Sequence, residues 1–271
     1  TRCLSDWSSD VCSSDLMFAE ETKSKCITVD TRLADCLLPK SKTIEEAEEN
    51  TPQFEKLLAL KNEEIIFITA GSGNTSGSIL RVLEQIKDNK IDVIYIRPDL
   101  DLLNKEQVLK ERVAYKVLQE STRAGLFNRI YLISNKTMAG LIADISLDNY
   151  FDKINEAIVF TFNFINYVLD EESTIRENLT DTKEVSRICA FGDYSFEREE
   201  EVYFFPIENI TEKYILYCLC KKTIQDKNIL EKISKQIKKA SEKEVNATYK
   251  IVSSTDSDYV FNLCFTHFVQ D

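Results

Sequence analysis

Residues 65–86 read IIFITAGSGNTSGSILRVLEQI, and the fold is decided there. Ile65 to Ala70 form a continuous apolar run, bounded by Glu63-Glu64 and Gly71, the pattern of a strand buried on both faces. Ile79, Val82, Leu83 and Ile86 then recur at i, i+3, i+4 and i+7, which is one face of a helix, and the pattern stops at Asp88-Asn89. The intervening AGSGNTSGS (70–78) holds Gly71, Gly73 and Gly77, half of the six glycines in the chain. Glycine lets a backbone turn sharply and approach a ligand closely. A loop between a strand's carboxyl end and a helix N-terminus is where open α/β sheets receive ligands and where amide groups face anions. Gly71, Ser72, Gly73, Asn74, Thr75, Ser76 and Gly77 are therefore candidate phosphate-binding residues. A tight turn with Thr75 or Ser76 as a plain helix cap is the other reading of the same stretch. No Gly-Lys-Ser/Thr follows, so it is not a Walker A loop, and its G-x-G-x-x-x-G spacing misses the dinucleotide fingerprint by one residue.

Working outward, a second strand is expected over 91–96 (IDVIYI), stopped by Arg97-Pro98. A helix with Leu109, Val113 and Val117 on one face comes next, then a third buried strand over 129–134 (RIYLIS). Strand, helix, strand, helix, strand is the signature of a parallel sheet with right-handed crossovers. Upstream, CITVD (26–30) is a short β-branched run, followed by an acidic stretch to about Asn50 with room for a helix. Residues 151–169 leave no wide polar face, so a helix buried on most sides is expected. Beyond the charged stretch DEESTIRENLTDTKE (170–184) lie Ile188 to Phe191, Tyr214 to Cys220, a helix over 226–240 with Ile229, Ile233 and Ile237 in register, and two closing strands. The last, 259–266, places Tyr259, Phe261, Leu263 and Phe265 on one face, as for a strand packed on one side by helices. The expected class is α/β: a parallel-sheet nucleotide-binding domain over 17–150, a central buried helix over 151–170, and a smaller α+β domain over 171–271.

Composition narrows the function. With 34 Lys+Arg against 46 Asp+Glu the net charge is −12, so the electrostatic footprint of a phosphate-backbone binder is absent and nucleic acid is not expected as a direct partner. No run approaches the ~18–20 apolar residues that span a bilayer. The single histidine, His267, leaves histidine metal clusters and Ser-His-Asp schemes without material, and no metal ligands are assigned. The eight cysteines contain no C-x-x-C, and several stand among apolar residues, so they read as free thiols of a reducing, cytoplasmic setting. Residues 1–16 (TRCLSDWSSDVCSSDL) repeat Ser-Ser-Asp and lack the basic and apolar regions of a signal peptide. They resemble a translated sequencing-adaptor scar, which implies a missing natural N-terminus; a disordered tail is the alternative.

The combination over residues 26–269 resembles the tubulin/FtsZ family of filament-forming GTPases. FITAGSGNTSGSILRVLEQI is similar to that family's strand, phosphate loop and helix; Pro98, Arg112-Val-Ala-Tyr and Ser134-Asn135 follow in the family's order; YFDKINEAI (150–158) resembles the start of its central helix. The resemblance implies GTP with Mg²⁺: phosphates on 71–77, ribose near Arg112, and base near Asn135, Phe151 and Asn155. It also implies head-to-tail self-assembly, and hydrolysis completed in trans by acidic residues entering the next subunit's site. The matching stretch, RENLTDTKEV (176–185), keeps Asp181 but has Asn178 where another acid is usual, and an amide positions water without accepting its proton. Read without the family, Phe151 and Asn155 are a buried aromatic and a polar residue at a helix start, Arg112 is a surface ion-pair partner, and Asp181 is a solvated acid. Two features depart from the family pattern: only the adaptor-like segment precedes CITVD, and residues 39–62 contain no glycine. A filament or partner-binding protein that keeps the fold without turnover is therefore the alternative function, and a small-molecule enzyme on an unrelated nucleotide fold is a third.

Overall fold

The computed structural model describes residues 2–6, 25–30, 34–41, 43–73, 75–146, 148–170, 176–177, 185–254 and 257–271. It divides into two compact units, 1–159 with Asp271 and 160–270.

In the first unit, strands β1 (Arg2–Asp6), β2 (Lys25–Asp30), β3 (Cys36–Leu37), β4 (Glu64–Ala70), β5 (Lys90–Arg97) and β6 (Arg129–Ser134) lie in the order 3-2-1-4-5-6. Every pairing among them is parallel. This is the doubly wound order, in which the direction of strand addition reverses between β1 and β4. Arg2–Asp6, expected to lie outside the fold, is strand β1, with Leu4 in register with Ile27 on one side and Phe67 on the other. The physical reason is the parallel sheet itself, because a strand between β2 and β4 satisfies two rows of backbone groups at once. The apolar runs behave as their composition dictates, with Ile65, Ile66, Phe67, Ile68, Val93, Ile94, Ile130, Leu132 and Ile133 all buried.

The helices of this unit are α1 (Ile44–Glu49), α2 (Glu55–Leu58), α3 (Ile79–Gln85), α4 (Lys105–Arg123) and α5 (Asn135–Leu141); α6 (Tyr150–Asp170) begins here and runs on into the second unit. A capping box between Asn104 and Gln107 starts α4. The helix is where it was expected, but its buried face is not the aliphatic one: Leu109 is 60% exposed, while Glu111, Ala114, Tyr115, Leu118, Gln119 and Thr122 point inward. Ion pairing of Glu111 and hydrogen bonds from Gln119 and Thr122 to backbone carbonyls make a polar inner face tolerable there. Along α6, Ile154, Ile158, Val159, Phe162, Ile165 and Val168 are buried, but Phe160 is 48% exposed and Tyr167 is also exposed. The expectation of burial on most sides therefore holds for one stripe only.

In the second unit, β8 (Ile188–Ser195), β12 (Tyr259–Thr266), β10 (Glu212–Cys220), β11 (Asn246–Ser254) and β7 (Arg176–Glu177) are neighbours in that order, and β9 (Glu200–Tyr203) folds back onto β8. Only β10 and β11 pair in parallel, through a crossover containing α7 (Lys221–Ile224) and α8 (Ile229–Ser241). Ile229 and Ile233 of α8 pack with Tyr217, Leu219, Ile251 and Val260. On the other face, Phe164 of α6 meets Phe261, with ring centroids 5.2 Å apart. β12 is thus covered on both sides, and Val260, Asn262 and Cys264 are as buried as Phe261, Leu263 and Phe265. One-sided packing, expected from the alternation, does not hold because α6 lies opposite α8. Among the described residues Cys36, Cys189, Cys218, Cys220 and Cys264 are free thiols.

Candidate functional site

The carboxyl ends of β4, β5 and β6 form one edge. Ala70, Ile96 and Ile133 stand side by side in the parallel register, so the glycine-rich loop, the Arg97-Pro98 turn and Ser134-Asn135 leave the sheet next to one another. The loop is adjacent to the reversal in strand order, the position at which sheets of this order bind ligands.

Two of its glycines are required by the protein's own packing. A Cβ on Gly71 would lie 1.9 Å from the Tyr95 hydroxyl and 3.1 Å from the Glu111 Cα; one on Gly77 would lie 2.7 Å from the Ala47 Cβ and 2.9 Å from the Ile44 carbonyl oxygen. The loop is therefore clamped between α4 on one side and α1 on the other. Its hydroxyls are engaged too. The Ser76 hydroxyl donates to the Gly73 carbonyl (2.9 Å), and the Ser78 hydroxyl donates to the Ala47 carbonyl (3.2 Å). Thr75 and Ser76 are buried, Ser72 and Gly73 are half-buried, and neither Thr75 nor Ser78 caps the following helical turn with its side chain. Asn74 lies outside the described residues.

Beneath Gly71 is a polar network that sequence reasoning did not find. Glu111 has 0% side-chain exposure; its Oε1 accepts from Arg97 Nε at 3.0 Å and from the Tyr95 hydroxyl at 3.4 Å, while its Oε2 has no partner. Burial raises the Glu111 carboxyl above its ordinary value, against the lowering pull of Arg97. Burial also drives Tyr95 well upward, and the neighbouring Glu111 adds to it, so the phenol stays neutral. The Arg97 guanidinium lies 4.3 Å from the Tyr115 ring centroid, a cation–π contact. A charged residue in a helix reads as surface, and because the partners of Glu111 lie 14 and 16 residues away in another element, no local pattern marks it.

Asn135, at the start of α5, is only 5% exposed, and its side-chain Oδ1 is buried without a hydrogen-bond partner. Its backbone carbonyl accepts from the Tyr150 hydroxyl at 3.4 Å, which ties the start of α6 to this edge. Phe151 is partly exposed and sits edge-on to Tyr150, with centroids 5.0 Å apart, and Asn155 is buried one turn further along. Arg112 is exposed, has no ion pair among the described residues, and lines a cavity of about 630 Å³ with Arg97, Leu100, Val113, Tyr115 and Lys116. Asn178 and Asp181 lie outside the described residues; the neighbouring Arg176–Glu177 pairs antiparallel with β11. Among the described residues no group of three His, Cys, Asp or Glu side chains is placed to hold a metal ion, and no helix is long and apolar enough to cross a membrane.

No protein-family model matches the chain, and no curated protein does. Solved structures do. The FtsZ dimer of M. jannaschii aligns with a TM-score of 0.66 at 12% identity, covering 98% of this chain and 88% of that one. A GTPγS-bound protofilament of CetZ2 from Haloferax volcanii gives 0.63 at 14%, covering 98% and 92%. GDP-form protofilaments of TubZ from Bacillus thuringiensis serovar israelensis give 0.69 at 12%, covering 99% and 85%. The chain has the tubulin/FtsZ-like fold.

Proposed function

We propose that the chain is a guanine-nucleotide-binding, self-assembling protein built on this fold. The observation that carries the reading is the orphan Asn135 Oδ1, a buried acceptor at the same sheet edge as the glycine-rich loop. A buried polar atom without a partner calls for an explanation, and here it asks for an N–H donor. The guanine edge presents two adjacent donors beside one acceptor, which matches a side-chain amide offering an acceptor and two donors. Phe151, partly exposed at the start of α6, supplies an aromatic face, and half-buried Ser72 and Gly73 border the loop that would take the phosphates. A magnesium ion would arrive with the triphosphate, held by phosphate oxygens and water, because no ready cluster of protein ligands is present among the described residues.

Self-assembly is supported by the protofilament states in which two of the structural neighbours were solved. Turnover rests on Asp181, with Asn178 as an amide that orients water; the alternative, a filament or partner-binding protein without turnover, differs only in this step. The test is a titration with fluorescent GTP and ATP analogues, run with light scattering and phosphate release. The expected result is preference for GTP, reduced by about fivefold or more in Asn135→Leu, since leaving a buried base-edge group unpaired costs about 1–3 kcal/mol. Equal affinity for ATP, or an Asn135→Leu variant that binds GTP as well as the parent, would overturn the reading. Phosphate release abolished by Asp181→Ala separates the GTPase from the non-hydrolysing alternative.

A further inference from the structure

The second unit contains a cavity that the proposed function does not use. It has a volume of about 120 Å³ and lies between the C-terminal half of α8 and the β9–β10 side of the sheet. Its floor is closed and neutral. Lys213, with 8% side-chain exposure, donates to Glu201 and at 3.4 Å to the Tyr203 hydroxyl, and Asn262 Nδ2 also donates to Glu201. At the rim Lys235 is paired with Glu199 at 2.7 Å.

What remains unpaired is of one kind. Gln236 is 8% exposed; its Oε1 accepts from the Tyr217 hydroxyl at 2.8 Å, and its Nε2 is buried without a partner. Lys239, three residues on along the same helix face, and Lys243, just past the helix end, both line the cavity; Lys239 acts on Glu199 at a distance, but neither lysine is in ion-pair contact with a carboxylate among the described residues. Four lysines against two glutamates line this cavity in a chain whose net charge is −12. The groups left over are donors and cations, the Tyr194 hydroxyl alone being able to accept as well, so the complementary ligand is a compact, acceptor-rich anion. The volume is well below the ~300–1,000 Å³ of ordinary small-molecule sites, which limits the ligand to a phosphate-sized head group.

We infer that this cavity binds the phosphate group of a small soluble molecule, held by Gln236 Nε2, Lys239 and Lys243. The competing explanation for the lysines is that they offset the negative end of the α8 dipole; it covers Lys238 and Lys239 in the last turn but neither Lys243 nor the orphan amide.

The test is a titration of the full ¹⁵N-labelled chain with inorganic phosphate, followed by amide chemical shifts against a chloride titration at matched ionic strength. The expected result is saturable movement at Tyr194, Tyr203 and 236–245, distinct from any movement at 71–78, where phosphate would report on the nucleotide loop instead. In the double variant Lys239→Glu/Lys243→Glu, whose sites are both exposed, the dissociation constant rises by about tenfold or more. Circular dichroism should show the fold unchanged. Shifts that match chloride, shifts confined to 71–78, or saturation that survives the double variant would each overturn the inference.

Discussion

Replacing Gly71 by alanine separates two reasons for having glycine there. The added Cβ would sit 1.9 Å from the Tyr95 hydroxyl and 3.0 Å from its Cζ, in a ring that is fully enclosed, and 3.1 Å from the Glu111 Cα, which is backbone. Something must move, and Tyr95 is the softer of the two. Overpacking of this kind costs about 1–3 kcal/mol. Displacing the hydroxyl also removes a donor from a carboxylate that already has one unpartnered oxygen. Together these give a destabilisation of about 2–4 kcal/mol for Gly71→Ala. Tyr95→Phe removes the clashing oxygen and by itself should cost about 1 kcal/mol. The double variant should then be less destabilised than the sum of the singles by about 1–2 kcal/mol. Urea denaturation followed by far-UV circular dichroism, with linear extrapolation, measures all three. A Gly71→Ala protein within about 0.5 kcal/mol of the parent, or strict additivity in the cycle, would refute the packing argument. It would leave the glycine to be explained by ligand approach alone.

Two further predictions address charged groups in the interior. The Glu111 carboxyl is raised in the folded chain by burial, so between its unfolded and folded values the native state holds the proton more tightly. Stability from this group therefore falls as pH rises through that window. Relative to Glu111→Gln, the parent should gain stability as pH is lowered from neutral toward the ordinary carboxylate range, measured by urea midpoints across pH; a difference that is flat or opposite in sign counts against it. In the second unit, Glu201→Ala removes the partner of buried Lys213 and the acceptor of Asn262, whose Oδ1 is already unpaired. A cost of about 3–5 kcal/mol is expected, visible as loss of hydrogen-exchange protection across β10 and β12, and unchanged protection there would contradict it.

Three strands of the first unit were legible because each is a short apolar run closed by Gly, Pro or charge: Glu64–Ala70, Lys90–Arg97 and Arg129–Ser134 lie within a residue or so of the apolar stretches that announce them. The loop at 71–77 was legible because glycine is scarce elsewhere in the chain. The face of α4 was not, because Leu109, Val113 and Val117 carry the aliphatic signal while the tertiary structure buries Glu111, Gln119 and Thr122. Their cost is met by Arg97, Tyr95 and the Leu118 carbonyl, which accepts from the Thr122 hydroxyl at 2.8 Å. Arg97 and Tyr95 come from another element, 14 and 16 residues away from Glu111, so the periodicity of the helix carries no trace of them. β12 was misjudged for a related reason: Tyr259, Phe261, Leu263 and Phe265 suggest one apolar face, but Asn262 and Cys264 are enclosed against the Lys213–Glu201 pair. The orphan amide of Asn135 depends on the absence of a neighbour, which no local pattern encodes.

The loop's own donors limit how it would hold an anion. Ser76 spends both its N–H and its hydroxyl on the Gly73 carbonyl, and Ser78 spends its N–H on the Thr75 carbonyl and its hydroxyl on that of Ala47. The one basic residue between 71 and 86, Arg81, is held by Glu48 at 3.2 Å and Glu84 at 3.0 Å. Little side-chain charge is therefore free to offset a triphosphate, and the half-buried backbone around Ser72 and Gly73 is left as the main source of donors. Backbone amides supply geometry and partial charge, but not the full positive charges that several phosphates bring together. In a chain of net charge −12 that deficit is large. A divalent cation thus follows, within the proposed function, from the electrostatics of the loop, and nucleotide affinity should depend on it more steeply than in a site that carries its own lysine.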